Sequence, residues 1–473
     1  MTATARTPNP HLRALLQEVG WSGERLARAV NRAGLVDGHR YTYDRTAVAH
    51  WLQGSRPAPP VPQLVAEVLS RALGRPVPVE QTGLGRDGAP PAPAAPDGPG
   101  AAALVTLARC EADPGALVYT LTHHQPPDPG ETGESGETGE SGESGEPAVD
   151  APGRSAEPPP RIGTAHLRAA QDLLRSALAG EQLAGAAFYR RTVAGFLATA
   201  MADWLRAAAP PGVRHELLCC ASELSYLTGF AYFDAQRQGA AQGYYRAAAS
   251  LAAQAADPRR HSLALRALSV QAHYLGHPRH ARDLAEAAAA QLDRLPARQA
   301  AFVLGQQALG AAGCRDRTAA FALLTRAHRL LDRAGEPEPG IGGYHWASYA
   351  HQEAEVLAAL GDDEGALRAL ALSARERPAG EHLARAVTTV RAARLHLSHG
   401  HLDRACAVLS RLLDEQPLVA SERLSTALAA VCTALRRHTG SAGVRALLAR
   451  LDPPPPADPA HPGRTAVPAP AWR

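Results

Sequence analysis

QAHYLGHPRHARDLAEAA at residues 271–288, VLAALGDDEGALRALALSA at 356–374 and LHLSHGHLDRACAVLSRL at 395–412 are three versions of one pattern. Each runs apolar residues at three- and four-residue spacing into a glycine. Five residues later comes an alanine: Ala281 after Gly276, Ala366 after Gly361, Ala405 after Gly400. Glycine stops a helix because it enters the left-handed region without a Cβ clash. A small residue one turn into the next helix lets the two helices approach closely. The pattern predicts helical hairpins. With Gly239 and Gly313 included, the marker glycines fall 37, 37, 48 and 39 residues apart. A unit of that length cannot bury its own apolar face, so successive units must stack.

From Arg161 to about Leu451 the chain stays Ala- and Leu-rich with the same periodicity, so an all-α repeat domain is expected over 161–451. The proline-rich residues 452–473 read as a disordered tail. Residues 83–160 read as a Pro/Gly-rich and acidic linker, mostly disordered. Its most biased part, GETGESGETGESGESGE at 130–146, sets glutamate at every third position among glycines. Like-charge repulsion and glycine entropy favour an extended chain there. An apolar island at Ala101–Leu107 and Ala116–Leu121 interrupts the linker and reads as a strand or a docking segment.

Residues 1–82 hold short amphipathic helices around a small core. Leu12, Leu15, Leu16 and Val19 line the first, and Leu26, Ala27 and Val30 the second, with Ser22 as its cap. Asp44 caps a third, Arg45–Gln53, which buries Val48, Trp51 and Leu52. Gly54 ends it, and a fourth carries Val61, Leu64, Val65, Val68, Leu69 and Leu73. Burying Val48, Trp51 and Leu52 leaves Arg45, Thr46, Ala49, His50 and Gln53 on the opposite face, with Arg28, Arg40 and Arg56 flanking it.

The run LRALLQEVGWSGERLARAV…YDRTAVAHWLQGSRPAPPVPQLVAEVLSRALG resembles the lambda-repressor-like (XRE-type) helix-turn-helix. The matching positions are Leu26–Ala27, Trp51–Gly54 and Arg56–Pro57. Several extra residues between helices two and three, among them Asp37, Gly38 and His39, depart from that family. The repeats resemble tetratricopeptide repeats over about 215–450, in a degenerate form. Together the two ends look like a group of actinomycete regulators associated with control of sporulation and antibiotic production. The resemblance implies an all-α protein: a small helix-turn-helix bundle, an acidic linker and an α-solenoid of tetratricopeptide-like hairpins. It implies duplex DNA as a partner, homodimerisation, and a protein or peptide ligand on the repeats. Arg45, Thr46, Ala49, His50 and Gln53 would then face the major groove, and Arg28, Arg40 and Arg56 the phosphates.

Charge supports that division. Residues 1–86 carry 11 Arg against 6 acids, and residues 87–160 carry 2 Arg against 13 acids, within a net charge of only +3. The chain has no lysine, so any phosphate contact comes from arginine. No apolar stretch is long enough to span a bilayer and no apolar signal core follows the N-terminus, so no membrane partner and a cytoplasmic place are expected. The six cysteines include no C-x-x-C and read as buried small hydrophobes. There is no P-loop, dinucleotide fingerprint, H-E-x-x-H or G-x-S-x-G, hence no enzyme and no cofactor is expected. His273, His277 and His280 have suggestive spacing, but Pro278 interrupts it, and no metal site is expected.

Aromatics make up only 5% of the chain yet gather in two places. Tyr226, Phe230, Phe233 and Tyr245, and then Trp346 and Tyr349, are candidates for a partner groove, against a plainer role in packing between repeats. A regulator and a scaffold with a degenerate head both fit this reading, and DNA binding separates them. Trp51 is the residue on which the head's core most depends. Trp51→Ala should cost about 3–5 kcal/mol and abolish the head's share of the thermal unfolding signal followed by circular dichroism.

Overall fold

The computed structural model describes residues 8–36, 41–58, 61–73, 77, 79–84, 100–109, 117, 119–121, 161–335, 341, 343–415 and 421–451. These residues are overwhelmingly helical. Among them there is no β-strand, only one bridge between Arg161 and Ala208. No helix among them is long and apolar enough to cross a membrane.

Four helices make the head: α1 (Pro10–Val19), α2 (Gly23–Val36), α3 (Arg45–Leu52) and α4 (Val61–Leu73), followed by a 3-10 turn at Val79–Thr82. Their core joins Leu12, Leu26, Val30, Val48, Trp51, Leu64, Val65 and Leu69. It also takes in Val77 and Leu84, so it runs past residue 82. Asn9 ties the two ends of the unit together. Its Oδ1 accepts the Leu12 N–H at 3.0 Å and its Nδ2 donates to the Thr82 carbonyl at 2.9 Å.

The island at 101–107 is neither strand nor linker. It forms α5 (Gly100–Arg109), with Leu104 and Leu107 fully buried against the body. Apolar residues among prolines still bury themselves when a surface is offered, and small residues on both sides let them in. Gly100 lies against Leu251, where a Cβ would come within 2.5 Å of Cδ2. Of the two expectations, strand or docking segment, the strand is corrected: residues 100–109 are a docked helix. The acidic tract 130–146 and the tail 452–473 lie outside the described residues.

The body begins with α6 (Thr164–Ala184), α7 (Arg190–Phe196) and α8 (Ala202–Arg206), the last two joined through a π turn at Leu197–Met201. Hairpins follow: α9 (Pro211–Asp234) with α10 (Gln238–Gln254), α11 (Pro258–Tyr274) with α12 (Pro278–Ala289), and α13 (Ala297–Gly313) with α14 (Arg317–Asp332). Then come α15 (Trp346–Ala359) with α16 (Asp363–Glu376), and α17 (His382–Ser398) with α18 (Leu402–Glu415). The helices α19 (Glu422–Leu435) and α20 (Ala442–Leu451) end it. From α9 to α18 each helix packs on the next, and α9, α11, α13 and α15 also touch in succession, as do α17 and α19.

Hydrogen bonds repeat with the hairpins. Gln306 Nε2 donates to Ser269 Oγ at 2.9 Å, 37 residues away, and Gln299 Nε2 to the Arg259 carbonyl at 2.6 Å, 40 residues away. Within hairpins, Ser222 and Ser262 each donate to a carbonyl 26 residues on, at Ala248 and Ala288. The helix stops are only partly glycine. Gly276, Gly361 and Gly400 have positive φ in the turns, as their spacing suggests. Gly239 instead lies in the first turn of α10, and Gly313 is the last residue of α13. In those copies the left-handed residues are Gln236 and Arg315, and Ala256 serves between α10 and α11. Gly313 is used for approach, with Pro278 Cβ 3.3 Å from where its own Cβ would stand.

Ala256 is exposed and held at φ 52°, where a Cβ is disfavoured by about 1 kcal/mol. Ala256→Gly should stabilise the body by up to that amount, and Gly361→Ala should destabilise it similarly. Urea unfolding midpoints of the two variants should therefore move in opposite directions.

Candidate nucleic-acid interface

The third helix is held from three sides. Asp44 caps it, its Oδ1 accepting the Ala47 N–H at 2.9 Å. Val48 and Trp51 enter the core, at 0% and 4% exposure. Gly23 lets α2 approach, since a Cβ there would stand 3.3 Å from Val48 Cγ1. Ser22 Oγ accepts the Arg25 N–H at 3.3 Å and so starts α2.

The longer connection between α2 and α3 returns to a fixed point. Asn31 Nδ2 donates to the Tyr43 carbonyl at 2.8 Å, and its Oδ1 accepts the Tyr43 N–H at 2.9 Å. Tyr43 also meets Trp51 edge-on, with ring centres 5.1 Å apart. Whatever path residues 37–40 take, both ends of the connection are therefore anchored to the core.

On the outer face of α3, Arg45, Thr46 and His50 are exposed, Gln53 is exposed just beyond, and Ala49 is half-buried. Arg56 is exposed after the helix. Arg28 is exposed on α2, 3.8 Å from Glu24, an ion pair loose enough to exchange for another anion. Arg40 lies outside the described residues. Two further arginines, Arg25 and Arg32, are exposed on α2 together with Arg28. Their three- and four-residue spacing was the available signal. Arg25 lies over the Trp21 ring at 4.9 Å.

The aromatic candidates divide. Phe233, Tyr245 and Tyr349 are closed into the packing at 3%, 3% and 7% exposure and do not line an open groove. Gly229 makes room for Tyr245, whose ring would stand 2.7 Å from a Cβ. Burial among apolar neighbours holds the Tyr245 hydroxyl well above its ordinary value. Tyr226 and Phe230 are half-buried beside them, while Trp346 is 42% exposed against His328 and Tyr349. Among the described residues no group of three or more His, Cys, Asp or Glu is placed to hold a metal. His277, one of the three spaced histidines, has another use.

That use joins head to body. Glu67 on α4 is buried, and its Oε1 takes Arg71 Nη2 at 2.9 Å and His277 Nε2 at 2.7 Å. The His277 ring stacks on Tyr119 at 5.4 Å between centres, only 11° from parallel. The backbone beside it is braced too: Thr120 exchanges two hydrogen bonds with the Gln242 side chain. So α4 is buried on two sides, by the head's core and by the turn before α12.

Residues 12–85 match the family model described as SP15 N-terminal domain. The match covers the head and ends one residue past Leu84, where the head's core ends. No curated protein and no solved structure matches the chain.

His277→Ala would leave Glu67 buried with Arg71 as its remaining partner at Oε1. Losing a hydrogen bond to a charged group costs about 1.5–3 kcal/mol. The variant should melt at lower temperature, and trypsin should cut between head and body faster than in wild type. His277→Gln, which can still donate, should recover part of both losses.

Proposed function

We propose that this chain is a sequence-specific DNA-binding transcriptional regulator whose head is a lambda-repressor-like helix-turn-helix. The observation that supports this most is α3 itself. It is short, capped at Asp44, fixed through Val48 and Trp51, and presents Arg45, Thr46, His50 and Gln53 to solvent. A helix so held can enter a major groove with its N-terminal residues against base edges. Arg25, Arg28 and Arg32 on α2 and Arg56 after α3 supply the cations that phosphate contacts need.

In this reading the paired helices of the body form a tetratricopeptide-like solenoid over 161–451, which mediates homodimerisation or binds a protein or peptide signal. The protein acts in the cytoplasm, without catalysis or a cofactor, in control of development or secondary metabolism. The hydrogen bonds recurring at one-hairpin intervals support the solenoid, and the buried Glu67–His277 contact supports coupling of the body to the head. If no duplex is bound, a scaffold acting through protein partners takes its place.

Genomic fragments recovered by chromatin immunoprecipitation should bind the full chain with a steep salt dependence in fluorescence anisotropy. Arg45→Ala should cost about 1–3 kcal/mol on such an operator and much less on random duplex. Arg56→Ala should weaken both alike and reduce the salt slope by about one. Unchanged operator affinity in both variants, with folding intact, would remove α3 from the interface.

A further inference from the structure

The last hairpins return to the first, where α19 touches α9. Among the described residues the apolar cluster of residues 383–451 and the cluster that includes α9 have no member in common. A polar contact joins them, centred on Asp234, the last residue of α9. The residue is 3% exposed, and its Oδ1 accepts two hydrogen bonds from the far end of the chain. Ser421 Oγ donates to it at 2.7 Å while accepting the Leu424 N–H at 3.1 Å, and Arg423 Nε donates at 3.3 Å. The Arg423 guanidinium lies 5.1 Å from the Phe233 ring centre and 5.9 Å from that of Phe230. A second carboxylate stands near: burial, with the Asp234 charge added to it, pushes Glu181 up to about 7.

We propose that this corner is a guanidinium-binding site, held here by the chain's own Arg423, and that the partner it fits is a protein or peptide segment presenting an arginine. The inference rests on the reading that the repeats bind a partner, and names what that partner must carry. Three physical points support it. A carboxylate this buried needs a cation or strong donors, because an unpaired charge in the interior is strongly destabilising. Phenylalanine faces beside it favour a flat, weakly hydrated guanidinium over a compact ammonium. And among the described residues the two apolar clusters share no member, so parting them there breaks neither. An arriving arginine keeps Asp234 paired while it releases α19, and the exchange leaves no buried charge alone.

The test uses the full chain and two probes, N-acetyl-arginine amide and N-acetyl-lysine amide, titrated by calorimetry. Arg423→Ala empties the corner and should bind the arginine probe at least about tenfold more tightly than wild type does. It should prefer that probe to the lysine one, and adding Asp234→Asn should remove the binding. Arg423→Gln, which keeps a donor for Asp234, serves if the alanine variant does not fold. Equal binding by wild type and the folded variant overturns the proposal. So does equal binding of the two probes, or binding that survives Asp234→Asn. Operator binding by the wild-type chain is measured alongside. If operator is bound without arginine preference, the site alone fails; if the preference stands without operator binding, the regulator reading alone fails.

Discussion

Close approach of helix on helix is the constraint on which the rest of this structure depends. At Gly310 on α13 a Cβ would stand 2.9 Å from the Cα of Arg282 on α12, and backbone cannot rotate out of the way. Ala281, Ala366 and Ala405, each near the start of the second helix of its hairpin, are all fully buried. Small side chains at these places let two helix surfaces interlock at interior density, where many weak dispersion contacts add up. An alanine-rich chain has few large side chains with which to fill a wider gap.

That closeness has a second effect. Helices so near bring long polar side chains of one hairpin within reach of the next, so glutamines and arginines act as ties between hairpins. Gln271 reaches Gln238, Arg266 the Phe302 carbonyl, and His351 the Thr388 hydroxyl. Burial lowers His351 to about 3, so its ring stays neutral and hydrogen-bonds without bringing a charge inside. Arg266 is brought down to about 10 by burial and so remains charged, lying over the Phe302 ring. Several polar groups inside such a stack are tolerable because they find partners in the neighbouring hairpin, 33 to 40 residues away.

The same economy joins the head to the body. Glu67, Arg71, His277 and Tyr119 come from three separate stretches of chain and converge on one buried carboxylate oxygen and one ring face. A contact of this kind is directional, unlike apolar burial, and it orients α4 relative to the turn before α12. Among the described residues Arg45, Thr46 and His50 on α3 stay exposed, so docking to the body uses another side of the head.

Much of this was legible in the chain, because it follows from neighbours in sequence. Apolar residues at three- and four-residue spacing determine helices, Ser22 and Asp44 their starts, and Gly276, Gly361 and Gly400 their stops. The buried stripe Val48–Trp51 leaves Arg45, Thr46 and His50 outside for the same local reason. Where a local signal is ambiguous, only the tertiary structure decided. Gly239 and Gly313 look like stops, but turn closure depends on where the partner helix lies, and Gln236 and Arg315 take the left-handed positions. The island at 101–107 reads locally as an interruption in a linker, yet it is a helix because α10 offers it a surface. Phe233, Tyr245 and Tyr349 look like groove residues until the stack closes over them. Glu67 with His277, 210 residues apart, and Asp234 with Ser421, 187 apart, carry no mark in the sequence at all. A periodic pattern reports which face of a helix is buried, whereas the pairing of two distant polar groups depends on where the whole stack brings them.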